Sequence, residues 1–268
     1  MTTTASPLQT PYPVSDEQVT HYQRVGWVHV PELLPADLTQ EMLARIGEGF
    51  RVKPSRNENW IEDEKFTDIL SIYNGMAWKD DLFHSIATSP RMTSLAQALL
   101  GGEPGQFVHD MAFVKPAEHG AESSMHQDFP FSPFDRPGTM TVWVALTDMT
   151  PDMGTLEFLS GSHTVGPLGR YNRKAGDDMR AANPWLADRF PLEGGLHLRA
   201  GDATVHHDLT VHGSQPNSTP RTRSAYTARY MPADVLYTGT PHHHYDTFDL
   251  TPNESFASYE VFTGFGSR

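Results

Sequence analysis

The sequence predicts a mainly β protein with flanking α-helices, its antiparallel strands stacked as a sandwich or jelly roll. Three observations predict it. Six short β-prone runs follow residue 105, at 107–115, 139–146, 155–159, 195–199, 203–212 and 223–230. Gly, Pro, Asn and Asp turns separate them, as in sandwiches and barrels. Helical patterns come before them. At 268 residues the chain is long enough to bury a sizeable core as one domain.

The elements read in order as follows. Residues 1–14, rich in Thr and Pro, read as a flexible arm. Residues 15–104 read as a mostly helical bracing segment. Ser15 followed by Asp16 and Glu17 starts a helix, because a hydroxyl cap and acidic residues suit a helix N-terminus. Gly26 stops that helix, and Trp27–His29 with Val30-Pro31 follows as a short strand. Pro35 to Phe50 carries Leu38, Met42, Leu43 and Ile46 on one helical face. Ser89-Pro90 is a cap with proline at the first helical position, and that helix ends at Gly101-Gly102. Residues 105–232 form the jelly-roll core and 233–268 a C-terminal segment. Residues 166–194 lack strand periodicity and read as an inserted loop or short helix. With the irregular stretch 52–80, which holds Trp60, Tyr73, Met76 and Trp78, they are candidate lids over a site.

Composition narrows the chemistry. The chain has no cysteine, so disulfides, iron–sulfur clusters and thiol nucleophiles are excluded. A metal would be held by His, Asp or Glu. The net charge of −13 repels phosphate backbones and argues against nucleic acid as a partner. The first residues lack the basic start and apolar run of a signal peptide, and no stretch reaches membrane-span length. The expectation is a cytoplasmic protein with a small-molecule partner, as monomer or homodimer.

Met125-His126-Gln127-Asp128 is the informative motif. On an extended segment residues i and i+2 share a face, so His126 and Asp128 can reach one ion while Gln127 points away. Two histidines and one carboxylate on one face suit iron(II) and leave positions open for an oxo acid and dioxygen. His-x-Asp alone is weak. With 14 histidines in the chain about one such pair arises by chance, and there are three, at His126/Asp128, His206/Asp208 and His244/Asp246. Only the first is followed by a distant histidine, His212, with an arginine, Arg223, eleven residues beyond it. The loop 213–220 between them is short, so both can enter one cavity, where a guanidinium fork suits a carboxylate.

These residues carry a resemblance. His126-Gln127-Asp128, Trp143, Gly154-Thr155-Leu156, Gly161-Ser162-His163, Gly201-Asp202, His212-Gly213-Ser214, Asn217 and Arg223-Ser224 together resemble the phytanoyl-CoA dioxygenase family. The resemblance is strongest from 107 to 230. It implies a double-stranded β-helix, a cupin-like jelly roll, and an oxygenase using iron(II), 2-oxoglutarate and dioxygen. It implies His126, Asp128 and His212 as metal ligands and Arg223 on the distal carboxylate of 2-oxoglutarate, with Ser214 and Trp143 lining that pocket. Strand parity adds Thr141 to the same face as Trp143. The chain departs from the family at Asp152-Met153 and at Ser160, neither of them a proposed ligand. The halogenating relatives replace the carboxylate ligand, and Asp128 argues against that chemistry.

The implied activity is oxidation of a C–H bond in a small organic molecule, by hydroxylation in natural-product metabolism. Epimerisation, desaturation and cyclisation use the same site. A jelly roll that binds a ligand or metal without turnover is the reading from another class. Phe129, Phe131, Phe134, Tyr73 and Trp78 are candidate substrate contacts, against an ordinary role as core. His163 reads as structural. His206 shares strand parity with His212 and can border the site, and His242–His244 read as a solvated loop.

Overall fold

The computed structural model describes residues 7–47, 70–118, 121–169 and 178–263. Trp60 and most of the candidate lid 52–80 lie outside them, as do residues 170–177 of the second lid.

Helix α1 spans Asp16–Val25. Ser15 and Gln18 complete a capping box at its start, and Gly26, in the left-handed region at φ 82°, closes it. Strand β1 (Trp27–Val30) and helix α2 (Ala36–Arg45) follow. α2 is shorter than its periodicity suggests, ending where Ile46 turns extended. β2 (Ser71–Asn74), α3 (Asp81–Ala87) and α4 (Pro90–Leu99) complete the bracing segment. Ser89 caps α4 as expected by accepting from the Met92 N–H. Residues 7–14, expected in a flexible arm, are instead folded. Tyr12 donates its hydroxyl to the Pro31 carbonyl and lies under the Arg91 guanidinium, and Leu8, Tyr12 and Val14 cover apolar core.

The remaining strands are β3 (Gly105–Lys115), β4 (Ser123–His126), β5 (Met140–Ala145), β6 (Leu156–Leu159), β7 (Leu192–Gly194), β8 (Ala203–His207), β9 (His212–Ser214) and β10 (Arg223–Pro232). They form a six-stranded sheet in the order β1-β8-β5-β10-β3-β2 and a four-stranded sheet in the order β4-β9-β6-β7, every pair antiparallel. This is the jelly roll expected from the sequence.

Two strand expectations change. The run 203–212 is two strands in different sheets. Asp208 breaks it, because its buried carboxylate accepts the Gly138 and Thr139 N–H groups and turns the chain between β8 and β9. The run 195–199 is not a strand and only Leu198 bridges to Met149, because Gly194 (φ 102°) and Gly195 (φ 60°) end the pairing. Residues 178–194 contain α5 (Met179–Ala182), α6 (Trp185–Arg189) and β7. Met179, Leu186 and Phe190 pack on Met125, Leu159 and Val211, so this part clasps the small sheet.

The large sheet sorts its residues by parity. On β10 Tyr226, Ala228 and Tyr230 face the helices, with Val142 and Val144 of β5, against Phe83, Ile86, Met92 and Leu95. That interface is the main core. Cutting Leu95, fully buried there, to alanine costs about 2–5 kcal/mol. The alternate residues turn inward, toward the small sheet.

Candidate active site

A cavity of about 550 Å³ lies between the inner faces of the two sheets. The small sheet brings His126 and His212 opposite each other in the β4–β9 register. Gly213 lets those strands approach, since a Cβ there would press on the Ser123 carbonyl. Asp128 follows at the start of a 3-10 turn, Phe129–Phe131. Gln127 turns away as expected. Its amide spans the Gly166 and Leu209 carbonyls and the Leu168 N–H, fixing the segment from behind.

The ligand atoms of His126, Asp128 and His212 lie within 4.8 Å of one another. Asp128 Oδ1 is 3.5 Å from His126 Nε2 and 3.8 Å from His212 Nε2. Each histidine donates Nδ1–H to a backbone carbonyl, His126 to Ser124 at 2.7 Å and His212 to Thr210 at 2.9 Å. That fixes both tautomers, leaving each Nε2 lone pair aimed at the shared point. Burial, with His206 and His126 nearby, holds His212 well below the usual imidazole range, so it stays a neutral donor. Burial on its own raises the Asp128 pKa. Arg229, His212 and the adjacent His126 and His206 rings outweigh it and hold the carboxyl well below its usual range. Two imidazoles and one carboxylate, buried and converging, are the donor set that fits iron(II).

The other oxygen, Asp128 Oδ2, is held from the large sheet. Thr141 Oγ1 donates to it at 3.0 Å, and Arg229 Nη2 and His206 Nε2 lie 3.5 Å away. Thr141 was expected to present its hydroxyl to a co-substrate and is committed to Asp128 instead. His206 does border the site, its ring 4.1 Å from that of His212. Parity along one strand is not the reason, since the two residues lie on β8 and β9.

At one end of the cavity Arg223 lines the wall, and Lys115, outside the lining, is its neighbour in the β10–β3 register. Both are buried, and among the described residues neither pairs with a carboxylate. Arg223 gives Nη2–H to the Gly154 carbonyl, leaves Nε–H unpartnered, and stacks over Trp143 at 5.3 Å. Gly154 has to be glycine: its φ is 76° and a Cβ would strike the Gln215 carbonyl. Lys115 donates to Ser214 Oγ and to the Gln215 carbonyl, both at 2.7 Å. Burial pulls Arg223 down to about 9. Burial and the neighbouring Arg223 pull Lys115 down to about 6. A buried guanidinium without a carboxylate partner among the described residues, beside a lysine amine, a hydroxyl and an indole, fits a carboxylate ligand.

The sequence-expected residues Trp143, Ser214 and Arg223 all line this cavity. Of the five aromatic candidates, Phe131 lines it. Phe134 is buried against Tyr245 and Phe256, Phe129 packs on that cluster, and Trp78 sits among Phe107, Phe248 and Phe262. Tyr73 packs on the main core. Sequence reading missed Lys115 and Arg229, since charged residues in strands usually face solvent. Their parity with Arg223 and His109 was the available signal. His242 and His243, expected in a solvated loop, line the cavity mouth, while His244 is buried and stacks on His109 at 4.2 Å. His163 meets the Gln23 carbonyl, outside the cavity lining, in keeping with a structural role.

The comparisons agree with this geometry. The family model for phytanoyl-CoA dioxygenase (PhyH) matches residues 22–225. The mouse (Mus musculus) phytanoyl-CoA dioxygenase domain-containing protein 1 is 32% identical, over 82% of this chain and 83% of its own. Ectoine dioxygenase of Stutzerimonas stutzeri is 27% identical over 79% and 75%. Among solved structures, the carbocyclase SnoK from nogalamycin biosynthesis superposes with a TM-score of 0.74 at 24% identity, covering 91% and 94%, a likeness of fold. The epimerase SnoN, in complex with Fe3+, alpha-ketoglutarate and nogalamycin RO, gives 0.70 at 28% identity, covering 89% and 91%. On sequence, fold and buried triad alike, the chain belongs to the phytanoyl-CoA dioxygenase family of iron(II)- and 2-oxoglutarate-dependent oxygenases.

Proposed function

We propose that the chain oxidises a C–H bond of a small organic molecule, with iron(II) held by His126, Asp128 and His212 and 2-oxoglutarate held by Arg223. The convergence of three buried donor atoms within 4.8 Å, beside an anion-free Arg223, carries the reading. When bound, iron(II) and 2-oxoglutarate supply the oxidising power, consuming dioxygen and releasing succinate and carbon dioxide. The chain's own residues do the rest. Nδ1–H bonds orient the two imidazoles, and Thr141 fixes the carboxylate. Arg223 and the Lys115–Ser214 pair receive the distal carboxylate, and the Trp143 ring walls that end.

Hydroxylation in natural-product metabolism is the outcome we propose. Relatives named as an ectoine dioxygenase and an L-proline trans-4-hydroxylase support it. The likeness to SnoN keeps epimerisation as a second outcome at the same site. We read residues 1–268 as a single oxygenase domain working in the cytoplasm on a small molecule, without nucleic acid or membrane. Among the described residues no helix is long and apolar enough to cross a membrane. The test is succinate release from 2-oxoglutarate by iron-loaded protein across a substrate library. Release that requires iron and a particular substrate supports the reading, and a folded, iron-loaded protein that never consumes 2-oxoglutarate refutes it.

A further inference from the structure

The inward face of the large sheet carries cations at both ends. Arg223 and Lys115 occupy one end. Six residues along β10, Arg229 occupies the other, paired with Thr141 of β5 and His109 of β3. Arg229 and His109 are 5% and 1% exposed, yet both line the cavity. Arg229 Nε and Nη2 have no hydrogen-bond partner, and Nη2 only approaches Asp128 Oδ2 at 3.5 Å. His109 donates Nε2–H to Asn74 Oδ1 at 2.6 Å, so its Nδ1 carries a lone pair, and that atom is also unpartnered. Burial, then His244, His242, His243 and Arg229, keep this imidazole neutral.

Charge bookkeeping gives this end its preference. Iron(II), the Asp128 carboxylate, the 2-oxoglutarate dianion and Arg223 cancel. Lys115, pulled down to about 6 by burial in the empty site, adds no negative charge, and a proton drawn to it by 2-oxoglutarate only adds to the positive side. Arg229 is left as surplus positive charge in a buried site, and such a charge is costly without an anion. The carboxylate that lines the cavity besides Asp128, Asp246, is committed to the His242 N–H and the Tyr237 hydroxyl.

Resting on the oxygenase reading above, we propose that Arg229 and His109 are the substrate anchor and that the primary substrate presents a carboxylate to them. The guanidinium fork takes the carboxylate oxygens, and His109 Nδ1 accepts from a hydroxyl or N–H next to it. Anchored there, the substrate lies beside the metal triad and across the cavity from Arg223.

The probes are a series of aliphatic and aromatic monocarboxylates and their matching primary alcohols. They are titrated calorimetrically into the anaerobic protein loaded with iron(II) and 2-oxoglutarate. The visible charge-transfer band of the iron–2-oxoglutarate complex is read in parallel. Acids that fit should bind about 10–100-fold tighter than their alcohols, the worth of a charge-assisted hydrogen bond, with the band retained. Arg229→Gln should abolish the preference. His109→Gln, remote from the metal ligands, should weaken acid binding with the band unchanged, and it decides the matter if Arg229→Gln disturbs iron. Acids binding no better than alcohols, a preference that survives Arg229→Gln, or acids that discharge the band by displacing 2-oxoglutarate overturn the proposal. If the parent protein shows no band, the oxygenase reading fails instead, and the same series still reports on Arg229.

Discussion

Thr141 Oγ1 donates a 3.0 Å hydrogen bond to Asp128 Oδ2, the oxygen that faces away from His126 and His212. The large sheet thereby sets the carboxylate of a triad whose histidines belong to the small sheet. Thr141→Val keeps the shape and deletes the donor. Iron(II) affinity should fall about 10–100-fold, read by anaerobic metal titration, with little change in melting temperature.

Arg223→Lys keeps a positive charge and loses the fork. The 2-oxoglutarate KM should rise about 10–100-fold while iron affinity holds. Lys115 titrates near 6 in the empty site, so a dianion arriving beside it should draw a proton from solvent at pH 7. Calorimetry of 2-oxoglutarate binding in buffers of different ionisation enthalpy should show proton uptake, and Lys115→Met should remove it.

Two phenylalanines three residues apart should behave differently. Phe134→Ala opens a cavity in the cluster with Tyr245 and Phe256 and should cost about 3–5 kcal/mol in denaturant unfolding, substrate selectivity unchanged. Phe131→Ala, on the cavity wall, should leave stability nearly intact and change the KM for substrate.

Asp110 supplies a pH dependence of stability. Burial raises its pKa from 3.8 to about 7, although the Ala77 N–H and the Tyr226 hydroxyl favour the anion. Between about pH 4 and 7 the folded chain therefore holds a proton that the unfolded chain has released. Stability from this group falls as pH rises through that window, by up to about 4 kcal/mol, and levels above it. Asp110→Asn should flatten the fall and be the more stable form at pH 8, read by urea unfolding across pH.

Much of the site was legible because its signals are local. The His-x-Asp spacing marks two side chains that meet, although Asp128 leaves the strand in the helical region rather than extended, and residues 215–220 are turn chemistry between β9 and β10. Gly154 and Gly213 have conformational and steric reasons to be glycine. Elsewhere the answer lay across the fold. The run 203–212 is β-prone throughout, and its break at Asp208 follows from amides near residue 138. Lys115 and Arg229 read as surface charges until a second sheet covers them. Trp78, Phe134 and Tyr73 were misplaced because aromatic density marks a core as readily as a pocket.

The most direct test of the central claim is a crystal structure of the protein soaked anaerobically with iron(II) and 2-oxoglutarate. The metal should be bonded by His126 Nε2, Asp128 Oδ1 and His212 Nε2, with the distal carboxylate of 2-oxoglutarate on Arg223. Iron held by the histidines at 242–244, or that carboxylate on Arg229 with Arg223 left free, would contradict the account.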